Sequence, residues 1–199
     1  MSSDGVNEGR RRFLTAATSV VGAVGAVGAA VPFVGSWNPS AKAKAAGAPV
    51  KANLGSIEPG QMIVVEWRGK PVYVVRRTAE TIADLEKMND KVRDPQSNEP
   101  QQPEYVKGLA RTIPGKEEFM ILLGLCTHLG CAPMYRPEVG AADLGGAEWM
   151  GGFFCPCHGS KFDLAGRVLK GVPAPINLEV PPHSYDSDTV ITIGVDQEA

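Results

Sequence analysis

The residues best suited to metal or redox chemistry are crowded into one stretch of this chain. Its 199 residues include 4 cysteines and 3 histidines, and every cysteine and two of the histidines fall between Cys126 and His158. They form two boxes, CTHLGC at 126–131 and CPCHGS at 155–160. The first offers Cys126, His128 and Cys131; the second offers Cys155, His158 and Cys157. Thiolate sulfur and imidazole nitrogen are the ligands of zinc, copper and iron–sulfur centres. A glycine in each box, Gly130 and Gly159, permits the tight turns that bring such ligands together. Matched sets on two loops point to one site built between them.

Spacing discriminates among the chemistries. Structural zinc sites favour a close Cys pair followed by a close His pair, whereas here Cys and His interleave as C-x-H and C-x-x-H. A plant-type [2Fe–2S] centre needs four cysteines at a spacing the second box lacks, and it leaves both histidines idle. A mixed [2Fe–2S] centre, with two Cys on one iron and two His on the other, uses both histidines and frees two cysteines to bridge the loops as a disulfide. A zinc or thiol–disulfide module outside the cytoplasm is the alternative from another class.

The surrounding sequence supplies rigid supports for these loops. QMIVVEW (61–67) and PVYVVRR (71–77) read as two strands around RGK. TAETIADLEKMNDKV (78–92) places Ile82, Leu85 and Met88 at helical spacing, with Thr78 or Thr81 as cap. EFMILLGL (118–125) is a buried strand running into Cys126, and WMGGFFCPC repeats that transition before Cys155. VLKGVPAPINLEVPPHSY and TVITIGV close the domain with short strands. The expected fold is mainly β, a small antiparallel domain with one inserted helix. His183, in PPHSY, reads as a surface loop residue, Trp67 and Trp149 as packing residues, and the charges on 78–94 as a solvated face.

Before the domain lies an appendage. Arg10, Arg11 and Arg12 precede an apolar run from Phe13 to Val34 that carries no charge. As a helix this run is about 33 Å long, enough for a bilayer core of about 30 Å. The arginines keep the N-terminus cytoplasmic, and Trp37 falls where an interfacial aromatic belongs. RRRFL followed by a mildly apolar Ala/Gly/Val core has the form of a twin-arginine export signal, retained as an anchor. The small residues Gly22, Ala26 and Ala30 suit a face that packs in the membrane. The expected organisation is a cytoplasmic segment at 1–12, a transmembrane anchor at 13–35, a flexible linker at 36–52 and a folded domain at 53–199. Hydrophobic content of 43% and charge of 21% exclude a disordered chain, and a net charge of −2 leaves no footprint for a nucleic-acid partner.

The paired boxes, with the twin-arginine anchor, the linker, the GKPVYVVRRT hairpin, the inserted helix and a PAP-containing loop, resemble the Rieske iron–sulfur subunit of the cytochrome bc1 complex of bacteria. The resemblance covers most of 10–194. It implies a Rieske-type β domain with a cluster-binding part at about 125–176, holding one [2Fe–2S] cluster. Cys126 and Cys155 would bind one iron, His128 and His158 the other, and Cys131 and Cys157 would form the disulfide. Ser160 matches the serine that hydrogen-bonds a bridging sulfide. Phe162 stands where many members have a Tyr that donates to a cysteine sulfur, so a lower reduction potential is expected here. Leu129, Gly130, Pro173 and Pro175 would form the docking surface, and GVPAP (171–175) is one residue longer than the commoner GPAP.

The implied function is proton-coupled transfer of one electron from ubiquinol, contacted by His158 at the quinol site of cytochrome b, to cytochrome c1. The partners are cytochromes b and c1, ubiquinol and the lipid bilayer, in a dimeric complex whose isolated subunit has no turnover. The implied location is the bacterial inner membrane, single-pass, with the Rieske domain periplasmic. The runner-up is the Rieske small subunit of an arsenite-oxidase-type molybdoenzyme.

Overall fold

The computed structural model describes residue 5 and residues 7–196. In chain order the elements are α1 (Glu8–Gly35), α2 (Ala41–Ala46), β1 (Val50–Asn53), β2 (Met62–Trp67), β3 (Lys70–Arg76), α3 (Ala79–Lys87), β4 (Phe119–Leu123), β5 (Met134–Arg136), β6 (Gly152–Cys155), β7 (Ser160–Asp163), β8 (His183–Ser187) and β9 (Val190–Ile193). The chain divides into two units, residues 1–45 and 46–199.

In the first unit, Asn7 caps α1 by accepting the Arg10 amide at 3.0 Å. Thr15 returns its hydroxyl to the Arg11 carbonyl at 2.9 Å, and Thr18 does the same to Leu14. Both hydroxyls are thereby satisfied inside the helix, as an apolar surrounding requires. The helix is long and apolar enough to cross a membrane, with a mean hydropathy of 1.8 in its most apolar window.

The second unit contains, among the described residues, three antiparallel sheets in the orders β1-β9-β8, β2-β3-β4 and β5-β6-β7. The middle sheet explains the continuous apolar run at 119–123. Alternate side chains of β3 and β4 enter different cores, Val72, Val74, Ile121 and Leu123 on one face and Tyr73, Val75, Met120 and Leu122 on the other. A sheet covered on both faces needs no polar alternation. The core containing Tyr73 and Leu122 also contains Cys126, Cys155, Phe153 and Phe162, so the strand that delivers the first box packs against the sheet that delivers the second. At the β2–β3 turn Arg68 (φ 53) and Gly69 (φ 70) are both left-handed, the geometry of a two-residue hairpin.

Three expectations change. The helix expected over 78–92 spans only Ala79–Lys87. Thr78 and Thr81 start it with a reciprocal capping box, but Val92 then bridges Leu169 and the Arg93 amide bonds the Val168 carbonyl at 2.9 Å, pulling the chain out of the helix. The stretch read as linker at 36–52 contains α2 and nearly all of β1, whose Val50 pairs with Ile193 of β9. His183 is not a surface residue. It opens β8, is paired with Ile193 and is only 1% exposed, because ladder pairing and the rings of Tyr105 and Tyr185 close over it. Trp67 and Trp149 are buried as expected, and within the 78–94 face Asp84 is buried and paired with Lys87.

Candidate metal centre

Both boxes are turns at the ends of strands, and they repeat one backbone device. The Gly130 amide bonds the Cys126 carbonyl at 2.8 Å, and the Gly159 amide bonds the Cys155 carbonyl at 3.0 Å. The glycines lie at φ 82 and φ 78, where a side chain is unfavourable. The first box leaves β4 through Gly124, which has to be glycine: a Cβ there would run into the Tyr73 ring, 2.9 Å from Cδ1. The Tyr73 ring in turn stacks on Phe153 at 5.8 Å, and its hydroxyl donates to the Pro133 carbonyl at 2.9 Å. The second box is the tip of the β6–β7 hairpin, closed by pairing of Cys155 with Ser160.

Cys131 and Cys157 are joined by a disulfide, with their Cα atoms 6.6 Å apart. Cys126 and Cys155 are free and buried. The Sγ atoms of Cys131, Cys155 and Cys157 lie within 4.8 Å of one another, but sulfurs spent in a disulfide are not thiolate ligands. That leaves the free thiols of Cys126 and Cys155 and the imidazoles of His128 and His158 as candidate donors. Burial pushes the Cys155 thiol pKa up, and the adjacent Cys126 thiol, its hydrogen-bond partner, adds to the rise. Backbone amides of Cys157 and His158 aim at the same sulfur and work the other way, which is what a thiolate held on a metal requires. The rings of His128 and His158 meet edge to face, 4.7 Å between centroids. His128 Nδ1 is buried and has no hydrogen-bond partner among the described residues. An orphaned imidazole nitrogen two residues along the chain from the buried free thiol of Cys126 fits a group with mixed nitrogen and sulfur ligation.

The other expected residues surround this set. Ser160 is fully buried, and its Oγ accepts the Ala174 amide at 3.0 Å. That bond leaves the hydroxyl proton available for donation. Phe162 is fully buried in the core that also holds Cys126 and Cys155. Leu129 is 72% exposed, and Gly130, Pro173 and Pro175 are exposed as well.

Contacts not anticipated from the sequence hold the proline-bearing segment: Thr127 donates to the Ile176 carbonyl at 2.6 Å, and Arg93 to the Val172 carbonyl at 2.7 Å. Thr127 lies inside the first box, but nothing local names its acceptor. Tyr73 carries a partial signal, as the one aromatic in an otherwise aliphatic apolar strand.

Comparison with known proteins agrees with this geometry. Residues 1–40 match the family described as ubiquitinol-cytochrome C reductase Fe-S subunit TAT signal, and residues 49–182 match the Rieske [2Fe-2S] domain. The chain is 59% identical to the ubiquinol-cytochrome c reductase iron-sulfur subunit of Allochromatium vinosum, over 99% of this chain and 94% of that one. It is 44% identical to the subunit of the same description from Bradyrhizobium diazoefficiens, over 93% of this chain and 94% of that one. It is 37% identical to the mitochondrial Rieske subunit of the cytochrome b-c1 complex of Candida albicans, over 92% and 75%. With a Rieske [2Fe–2S] domain, a twin-arginine region and full-length likeness to these subunits, the chain belongs to the Rieske iron–sulfur subunit family of ubiquinol–cytochrome c reductase.

Proposed function

We propose that this subunit of the bc1 complex takes one electron, coupled to a proton, from ubiquinol at the quinol site of cytochrome b and delivers it to cytochrome c1. In doing so it contributes to respiratory or photosynthetic proton translocation. The observation that carries the reading is the donor set: free buried thiols at Cys126 and Cys155, adjacent imidazoles at His128 and His158, and the remaining cysteines joined to each other.

In this reading Cys126 and Cys155 hold one iron, and His128 and His158 the other. When bound, the [2Fe–2S] group supplies a one-electron acceptor whose potential, with imidazoles in place of two thiolates, lies at roughly −150 to +300 mV. His158 is exposed. Its ring nitrogen not used for the metal is placed to accept a hydrogen bond from a quinol hydroxyl and then the proton. Ser160 donates its hydroxyl proton toward the sulfur side of the site, and Phe162 cannot donate, which lowers the potential relative to a Tyr at that position. Leu129, Gly130, Pro173 and Pro175 present an apolar rim that excludes water on docking to cytochrome b. The disulfide fixes one loop against the other.

The apolar α1 and the twin-arginine region mark a membrane-bound subunit. The finer reading is a single pass through the bacterial inner membrane, with residues 1–12 cytoplasmic and the Rieske domain periplasmic. The complex is dimeric in this reading.

The test is His158→Ala in the assembled membrane complex. The [2Fe–2S] EPR signal and ubiquinol–cytochrome c turnover are expected to disappear while cytochromes b and c1 still co-purify. An unaltered signal rejects the ligand set. A wild-type chain that carries the signal but does not co-purify with cytochromes b and c1 rejects the partners.

A further inference from the structure

The turn that follows β7 is gripped by arginines from three separate segments. Arg167 pairs with Asp163 at 2.7 Å, both side chains being buried, and donates to the Leu85 carbonyl at 2.6 Å. Arg77 reaches the Leu164 carbonyl at 3.3 Å. Arg111 donates from one guanidinium nitrogen to the Ala165 carbonyl at 3.0 Å, and from the other to the Leu178 carbonyl at 2.7 Å and to Gln102 Oε1 at 2.9 Å.

All three side chains are buried, and Arg111 stands apart from the other two in its backbone. Its backbone is left-handed, at φ 54, an uncommon conformation for a residue other than glycine. Its side chain is buried, and burial lowers the guanidinium pKa to about 10. A strained backbone and a costly desolvation are both tolerated to put one planar fork between two carbonyls.

Those carbonyls lie on two segments that continue toward the site. Ala165 ends the segment that begins with Ser160 on β7, and Leu178 ends the proline-bearing segment that contains Ala174. The Leu178 amide also bonds the Gly166 carbonyl at 2.8 Å, so the two segments are clamped where they meet. The Val168 amide on Asn177 Oδ1 at 2.9 Å reinforces the clamp, and nearer the site the Ala174 amide bonds Ser160 Oγ. That amide occupies one acceptor direction of the hydroxyl and so limits where its proton can point.

We propose that Arg111 is a positioning residue for Ser160: by bracing the Ala165 and Leu178 carbonyls it sets the Ser160–Ala174 contact and hence the aim of the hydroxyl toward the metal site. This rests on the reading that Ser160 donates to the cluster.

The test is a double-mutant cycle in the assembled complex, reading the midpoint potential by EPR titration and hydrogen exchange over 171–178. Ser160→Ala is expected to lower the potential. Arg111→Lys keeps the charge but not the fork, so it should lower the potential by a smaller amount and speed exchange over 171–178. In the Ser160→Ala background Arg111→Lys should give no further drop. If Ser160→Ala leaves the potential unchanged, the underlying reading of Ser160 fails. If Ser160→Ala shifts it but Arg111→Lys does not, or the two shifts add, only the role of Arg111 is overturned. Should Arg111→Lys fail to accumulate with a cluster, Arg111→Gln, whose single amide cannot reach both the Ala165 and Leu178 carbonyls, takes its place, and an unshifted potential there overturns the proposal.

Discussion

The two boxes carry the same residue types but are supported differently. The first leaves a strand buried on both faces, passes the Tyr73 ring at Gly124 and is tied to the proline-bearing segment through Thr127. His128 is accordingly half-buried. The second is a hairpin tip on which Pro156, Cys157 and His158 are exposed. One box is anchored and the other is presented, and the Cys131–Cys157 disulfide makes the presented loop borrow the rigidity of the anchored one. A redox site that must also be touched by partners needs both properties: ligand geometry held by packing and one ligand left at the surface.

Cutting the link should have the largest effect. Closing the loop across a sequence separation of 26 is worth about 3.5 kcal/mol in chain entropy, so the double variant Cys131→Ala/Cys157→Ala should unfold at markedly lower temperature and lose its EPR signal on storage. A variant with unchanged thermal unfolding would mean that each loop stands unaided.

Next come the glycines. Gly124→Ala drives a Cβ into a Tyr73 ring that stacking and a hydrogen bond hold in place, and should cost about 3 kcal/mol as overpacking. Gly159→Ala meets nothing within 4 Å, so only its backbone conformation is penalised, by about 1 kcal/mol. Denaturant titration of the pair measures the contrast directly, and equal losses would refute it.

Phe162→Tyr sharpens the electronic side. A hydroxyl added in the core shared by Cys126 and Cys155 is expected to raise the midpoint potential by on the order of 50 mV, nearly tenfold in the one-electron equilibrium. A titration showing no rise rejects Phe162 as the cause of a lower potential.

The smallest effect belongs to His183, away from both boxes. Burial holds its pKa below the ordinary value, opposed by the Pro181 carbonyl and Asp196, while Tyr105 and Tyr185 flank the ring. The unfolded chain then binds the proton more readily than the folded one. Stability is full above about pH 6.5 and falls as pH drops from there toward the folded pKa. His183→Gln should flatten that acid limb of the stability curve while the EPR signal stays unchanged.

Legibility followed the range of the interaction. The capping box at Thr78 and Thr81, the hairpin at Arg68–Gly69 and the apolar helix could be read from neighbours along the chain. The end of α3 at Lys87, the recruitment of Val50 into a sheet and the burial of His183 could not. Each depends on a partner far away in sequence: residues 168–169, Ile193 and the Tyr105 ring.

The sequence by itself determined which atoms can ligate a metal and that an apolar helix precedes them, because residue type and spacing fix donor chemistry and local periodicity. Only the tertiary structure decided which imidazole stands at the surface, which serine hydroxyl keeps its proton free and which arginine braces the turn behind it. Solvent exposure and hydrogen-bond partnership are properties of packing between distant segments, and no local pattern encodes them.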